Sequence, residues 1–546
     1  MATRLLGENT SSLRGSDGGN LPQQADFKPD SDQPSRRPEG LATTLSRNSA
    51  MSVGRLLIST AVAIFLPGYL THRLPVKTYS AWVLVLQMSA YVSYLDFGVQ
   101  VAISKYVAEY EARQDVHGAN MRASAGLAIM LAASMLGVVL TVVLMWQMPR
   151  LFNDMPAALY RDVRISLLLV GFSLSFNLVC SVTSAIFLGL QRYTVPTLTM
   201  LANRILFTIV VITAVAFHAS LAVMGAAAAA VNVATGAAQV VAWRSMAGRI
   251  RLSLRALDLA VVRQMISYCS VLAIWTVGML CVSGLDVTIV GRYDFSRTAY
   301  YSIASLPTNF LISILSAALG PFLPAASARD AASTPLQMGQ MLSRVTRYCV
   351  VLLNLTGLPL LVGGYWILRL WVGTDYAVHA LPYMRILVVA NMIRTICLPY
   401  AMMLVATDKQ KVAIGGAAAE ALVNLGASVY LAQHIGAIGV AIGTLLGSFV
   451  SVGMHFAVNM RFTYPRIQIN RANLFTAGIL RPMAIAIPSL LCVRMWWSAS
   501  APSLSVSEWI AWGSSTLAIA WISGLFPEER IRLHAAVRSR LRPAVL

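Results

Sequence analysis

The sequence predicts an all-α membrane protein of about fourteen transmembrane helices, arranged as two pseudo-symmetric lobes of six helices and an accessory pair. Three observations carry that prediction. The chain is 57% hydrophobic and 12% charged, with a mean hydropathy of +0.66, a composition that a water-facing surface does not sustain. A hydrocarbon core about 30 Å thick takes roughly 20 apolar residues per helical crossing, and runs of that length recur along almost the whole chain after residue 50. Lys and Arg gather between those runs more than within them.

Taken in order, residues 1–50 are rich in Ser, Gly, Pro, Gln and Asp and offer no apolar run able to pack. A disordered cytoplasmic tail is expected there. The first apolar run starts too late for an ordinary cleavable signal and reads as an uncleaved signal anchor. Helices are predicted over residues 52–72, 79–100, 122–147, 165–190, 197–218 and 220–243, which with their connections form an N-terminal lobe over 51–245. A basic cytoplasmic linker, 246–266, leads to helices at 267–290, 299–325, 346–368, 380–405, 412–433 and 435–459, a C-terminal lobe over 267–460. Accessory helices at 475–494 and 506–526, within 461–527, precede a basic tail over 528–546.

The formal net charge is +20. Its Lys and Arg concentrate in the connections after even-numbered helices, above all the central loop (Arg244, Arg249, Arg251, Arg255, Arg263) and the tail (Arg530, Arg532, Arg538, Arg540, Arg542). The positive-inside rule therefore places both termini in the cytoplasm and assigns the charge to anionic lipid and topology. No recognition-helix pattern accompanies it, so nucleic acid is excluded as a partner. The six cysteines (Cys180, Cys269, Cys281, Cys349, Cys397, Cys492) lie in or at the edges of apolar runs without ligand spacing. They read as packing residues, and no metal or cofactor is expected.

Each group of six ends in a helix pair joined by a short turn containing His and followed by a Gly/Ala-rich helix, with His218 before Gly225 and His434 before Gly439. Internal repeats of this kind are common in secondary transporters. With the histidines aligned, Arg204 and Glu420 fall at matching depth in the fifth and eleventh helices. Gly436, Gly439, Gly443 and Gly447 make a small-residue stripe that signals close helix packing. Trp146, Trp366, Trp371, Trp496 and Trp497 lie near helix ends, as an aromatic belt does.

Several stretches resemble the polysaccharide transporter family, the Wzx-type flippases of the multidrug/oligosaccharidyl-lipid/polysaccharide exporter superfamily. They are LDFGVQVAISKYVAEYEA (Leu95 to Ala112), LDVTIVGRY, AYYSIASLPTNF, GPFLPAASARDA, WVGTDY (Trp371 to Tyr376), ATDKQKVAI (Ala406 to Ile414) and EALVNLGASVYLAQHIGAIGVAIGT (Glu420 to Thr444). The resemblance implies two lobes opening alternately around a cationic central cavity. The implied cargo is an undecaprenyl-pyrophosphate-linked oligosaccharide, moved across a bacterial inner membrane for O-antigen, capsule or exopolysaccharide assembly. Membrane lipids, a polysaccharide polymerase and export machinery are the implied partners. The polar N-terminal tail departs from the family pattern.

Charges inside membrane helices are costly and mark functional candidates. Arg394, near the middle of the tenth helix and followed by Pro399, is a candidate for the substrate diphosphate, which a guanidinium binds in bidentate fashion; a salt bridge to a neighbouring helix is the alternative. Arg385, nine residues earlier, falls on the opposite helix face. It is a second cavity candidate, or snorkels to the headgroups. Arg204 and Glu420 are expected to pair across the lobes, either to draw in the lipid head and exchange a proton or cation, or simply to neutralise each other. Asp286 and Asp96 are ion-coupling candidates, or interfacial carboxylates that cap helix ends; Arg481 beside Pro482 reads as interfacial.

No GxxxxGK[ST], GxSxG or HExxH occurs, and the internal loops are short. Nucleotide-driven transport is excluded, and the chain is read as a transporter, not an enzyme. A cation-coupled drug exporter on the same fold, a lipid-II-type flippase, a membrane-embedded polymerase or glycosyltransferase, and a structural scaffold are the alternatives. An acid-dominated cavity distinguishes the exporter, and an acidic cluster in an extramembrane loop distinguishes the enzyme.

Overall fold

The computed structural model describes residues 60–330, 333–491 and 506–531. The predicted N-terminal tail, Cys492, Trp496, Trp497 and the tail arginines from Arg532 onward lie outside the described residues. Every regular element described is helical. Twelve helices are long and apolar enough to cross a membrane: α2 (Val76–Ala112), α3 (Val116–Leu151), α4 (Ala157–Gly189), α5 (Thr194–Ala216), α6 (Leu221–Met246), α7 (Leu259–Gly284), α8 (Phe295–Leu319), α9 (Pro335–Val372), α10 (Thr374–Ala406), α11 (Gln410–Ile435), α12 (Ala437–Phe462) and α13 (Arg471–Leu490). They match the second to thirteenth predicted helices one for one. The first predicted helix is described only over 60–73 (α1). The last, α14 (Val506–Gly524), forms as a helix but is not among the twelve; it carries Glu508 and several Ser and Thr residues.

Local sequence explains where these helices bend. α2 breaks at Phe97 (φ 45°) and Gly98 (φ 80°), both left-handed, within the Leu-Asp-Phe-Gly stretch. Glycine is required at 98 on two counts: its φ is positive, and a Cβ there sits 2.6 Å from Leu272 of α7. Asp96 Oδ1 accepts the Gln100 amide at 3.2 Å, across the break into the amphipathic continuation Val99–Ala112, whose N-cap is Gly98. α7 begins at Leu259 rather than at the predicted 267, because Asp258 caps it through the Ala260 amide at 2.8 Å. It then passes through a π-helical turn, Leu280–Gly284, into a further helix, Asp286–Tyr293. α10 is interrupted after Thr395, with Pro399 opening its second half.

Packing follows the small residues. A Cβ on Gly225 of α6 meets Ser166 of α4 at 2.7 Å. On α12, the same addition meets Leu431 backbone from Gly439 at 2.4 Å, Ser428 backbone from Gly443 at 2.5 Å and the Asn424 side chain from Gly447 at 2.8 Å. The predicted stripe is thus the seam between α11 and α12, close enough that only hydrogen fits. The five described cysteines are free thiols, four of them buried, as packing residues are. Trp146 and Trp366 sit near helix ends beneath the guanidiniums of Arg150 and Arg369.

The end of α14 is fastened to α9. Glu529 accepts from Arg347 at 2.5 Å, from the Tyr348 hydroxyl at 2.7 Å and from the Phe526 amide at 2.9 Å. Burial pushes the Glu529 carboxyl up, but the Phe526 amide, the Tyr348 hydroxyl and the Arg347 and Arg344 guanidiniums outweigh it and hold the group below its ordinary value. Arg481 reaches the carbonyls of Ile522 and Leu525 and lies over the Phe526 ring at 4.4 Å, so it closes the last turn of α14.

Candidate functional site

Three of the predicted charges converge among α7, α10, α11 and α12. The π-helical turn sets the register of the helix that follows, and its first residue, Asp286, is buried. Extra-residue turns of this kind re-aim a side chain at a site. Asp286 Oδ2 accepts from the Tyr301 hydroxyl at 3.3 Å and from the Thr444 hydroxyl at 3.4 Å. Its Oδ1 is buried with no hydrogen-bond partner among the described residues.

Glu420 of α11 meets Arg394 of α10 at 2.6 Å between Oε1 and Nε. The pair is close, but the N–H does not point along the contact, and Nε, Nη2 and Oε1 all lack a directed hydrogen bond among the described residues. Arg394 acts electrostatically on Asp286 as well. Among the described residues, two carboxyl groups and one guanidinium therefore share one interior, with one negative charge in excess when both carboxyls are ionised. A buried charge without a full partner set is costly, so this cluster holds free energy that a further positive charge releases.

Neutral groups frame the cluster. Asn424, one turn beyond Glu420, donates to the Val282 carbonyl at 3.0 Å and so ties α11 to the α7 turn. Ser428 reaches Asn424 Oδ1 and the Val440 carbonyl at 3.4 Å each. Asn391 and Thr395, on the turn that carries Arg394, bond back along α10 to Leu387 and Asn391 at 2.9 and 2.5 Å. No group of three His, Cys, Asp or Glu side chains able to hold a metal occurs among the described residues.

The other candidates lie elsewhere. Arg204 is exposed on α5 and makes no ion pair with Glu420, which corrects the expected cross-lobe pair. Equal depth in two helices fixes height and leaves azimuth open, and Glu420 turns toward the neighbouring α10 instead. Arg385 is half-buried on α10, away from Arg394 by the nine-residue offset already noted. Asp96 lies at the α2 break, where its Oδ1 accepts the Gln100 amide. Tyr301, Thr444 and Asn424 escaped the sequence reading; the signal available was Asn424 four residues after Glu420, on the same helix face.

The first helix group has a polar interior of a different kind. Asn203 donates to Asn232 at 3.1 Å and to Thr235 at 2.8 Å, Asn232 donates to Ser173 at 3.0 Å, and Gln239 joins Thr199 and Ser184 at 3.2 and 3.0 Å. Every member of this ladder is uncharged.

The two helix groups interlock on the face that carries residues 74–75, 294 and 373. There the Ala299 amide donates to Ser80 at 3.1 Å, and Trp371 donates to the Ile64 carbonyl at 2.7 Å. Tyr376 packs edge-on against both Tyr79 and Tyr300, at 6.3 and 5.0 Å between ring centroids. Arg292 donates to the Leu151 carbonyl at 3.0 Å and to that of Arg150. On the opposite face, the first group meets the beginning of α7.

No protein-family model matches the sequence, and no curated protein does. Among solved structures, the fold is similar to the lipid II flippase MurJ in an inward closed conformation, at 11% identity and a TM-score of 0.68, over 87% of this chain and 98% of that one. It is also similar to the inward-facing conformation of a multidrug resistance MATE family transporter of the MOP superfamily, at 14% identity and a TM-score of 0.62, over 76% and 98%. The outward-facing conformation of a MATE family transporter aligns at 14% identity with a TM-score of 0.52, over 77% and 96%. The likeness is one of fold: a multi-pass membrane protein with the architecture of MOP superfamily transporters.

Proposed function

We propose that the chain is a secondary transporter that flips an undecaprenyl-pyrophosphate-linked oligosaccharide across a bacterial inner membrane by alternating access, for surface polysaccharide assembly. Both termini are cytoplasmic in this reading, and a polysaccharide polymerase and export machinery take up the product. The observation that carries a coupled secondary transporter is the buried cluster of Asp286, Arg394 and Glu420, set inside a fold shared with transporters. The cluster is richer in acid than in base, the mark of the drug exporter and not the cationic cavity that the resemblance implies, so the cargo rests on the coverage and on the flippase-like stretches instead. Asp286 and Glu420 take up the coupling proton or cation, and Arg394 is their counter-charge. That assignment moves Arg394 away from the diphosphate, which it contacts only when its pair with Glu420 opens. The interlocked tyrosine face is the extracytoplasmic gate in this mechanism. Its opening closes the face on which α2 meets α7.

The lipid-linked cargo is favoured over a small drug by coverage. The flippase accounts for 87% of this chain where the drug exporter accounts for 76%, each aligned over 98% of itself. The stretches resembling oligosaccharide flippases point the same way. Deletion of the gene, followed by assay of surface polysaccharide and of the sidedness of undecaprenyl-linked intermediates, tests the reading. Intermediates that remain cytoplasm-facing support it. Normal surface glycan with altered drug tolerance transfers the assignment to the drug exporter.

A further inference from the structure

On the face opposite the tyrosine gate, cations and rings alternate across three helices. The Lys105 ammonium lies 5.5 Å from the Tyr106 ring centroid and 4.5 Å from that of Tyr268 on α7. The Arg122 guanidinium lies 5.1 Å from Tyr106 and 4.7 Å from Tyr110. It also donates to Gln264 at 3.1 Å, while its Nε is buried with no hydrogen-bond partner among the described residues. A ring face holds a cation in place without using its N–H donors. Lys105 and Arg122 are thus fixed in position with donors to spare.

The nearby carboxylates are committed elsewhere. Glu109 pairs with Arg113 and Glu111 with Arg249, each at 2.7 Å. Asp115 and Asp258 cap helices through the Gly118 and Ala260 amides at 2.8 Å. Lys105, Arg113, Arg122, Arg249, Arg251, Arg255 and Arg263 outnumber these four carboxylates, so the region keeps a positive excess. α2 runs for 37 residues where a bilayer core takes roughly 20, and Lys105, Tyr106 and Tyr110 lie in the amphipathic part beyond the Gly98 break, past the length that a crossing needs.

We propose that Lys105 and Arg122, held on Tyr106, Tyr110 and Tyr268, form a binding site for the phosphate headgroup of an anionic phospholipid in the adjoining leaflet. Because Lys105 and Tyr268 belong to different helix groups, an occupied site braces α2 against α7. Nothing in this inference depends on the cargo.

The test is a titration of the purified full-length protein with phosphatidylglycerol, read by native mass spectrometry, with phosphatidylcholine and inorganic phosphate as comparison probes. Each basic side chain near a membrane surface is worth about fivefold in lipid affinity, so Lys105→Ala with Arg122→Ala is expected to weaken phosphatidylglycerol binding roughly 25-fold. Arg255→Ala with Arg263→Ala, near the same end of α7 but off the rings, removes as much charge without touching the ring-held site and is expected to cost less than Lys105→Ala with Arg122→Ala. Tyr268→Phe keeps the ring and retains binding; Tyr268→Leu removes it and weakens binding. Equal losses in the two double variants, equal binding of phosphatidylcholine, or displacement by inorganic phosphate at matching concentration overturns the proposal. Lys105→Gln, which keeps the side chain's stem, repeats the measurement if the alanine variants misfold.

Discussion

The two helix groups solve the same packing problem with different chemistry in their interiors. α4, α5 and α6 are joined by amides and hydroxyls from Asn203, Asn232, Thr235, Ser173 and Gln239. α7, α10, α11 and α12 are joined around Asp286, Arg394 and Glu420. A neutral ladder gives the bilayer interior satisfied hydrogen bonds and nothing to titrate. A charged cluster with one excess negative charge changes its free energy whenever a cation or proton arrives. One group's polar interior is neutral, and the other's is ionisable.

The sharpest way to break this comparison is to remove the counter-charge. Arg394→Leu leaves Glu420 buried and unpaired, and the loss of one partner of a buried pair costs about 3–5 kcal/mol. Thermal unfolding in detergent measures it. Replacing both partners, Arg394→Leu with Glu420→Leu, is expected to recover most of that stability, since an apolar pair needs no desolvated charge. Export stays lost in the double variant. Recovery of export along with stability would make the pair purely structural.

Asp286→Asn separates the two roles further. Removing the excess charge leaves a variant at least as stable as the parent, yet export is expected to fall at least about tenfold, the scale of a catalytic-type loss of about 1.4 kcal/mol or more in a driving step. Flipping measured in sealed vesicles, with and without an imposed ion gradient, reads the change. A variant that still responds to the gradient with undiminished rate removes Asp286 from the coupling step.

Much of this was legible in the sequence, and the gaps have physical causes. Helix existence followed from apolar runs, and the α2 break from Leu-Asp-Phe-Gly, where a left-handed pair is written into the residues. The start of α7 was missed because Arg263 and Gln264 make its opening turns polar, while the Asp258 cap that begins them is only a single-residue signal. Asp286, Arg394 and Glu420 stood out as charges in apolar surroundings. Their grouping did not, because depth along a helix says nothing of which neighbour a side chain turns toward. The Arg347–Glu529 contact that fastens α14 joins residues far apart in the chain, and neither residue marks the other.

The neutral ladder predicts a milder and different outcome. Asn232→Ala leaves the Asn203 and Ser173 groups short of a partner, at a cost of about 1–3 kcal/mol. Fewer folded molecules are expected, each exporting at the parental rate. Export normalised to folded protein in the membrane measures this. A drop in rate per folded molecule comparable to that of Asp286→Asn would erase the distinction between the groups.

The smallest effect is expected at Arg204, and it tests what the repeat means. Aligned through His218 and His434, Arg204 is the counterpart of Glu420, yet Glu420 is buried against a guanidinium and Arg204 is exposed. If position in the repeat determined role, Arg204→Gln would be as damaging as Glu420→Gln. If surroundings determine it, removing an exposed charge with no ion pair among the described residues changes stability by no more than about 0.5 kcal/mol and export by less than about twofold. Side-by-side unfolding and export measurements on Arg204→Gln and Glu420→Gln decide between these. Parity between the two variants would show that the charges act together across the groups during transport, in a state other than the one in which Glu420 rests on Arg394.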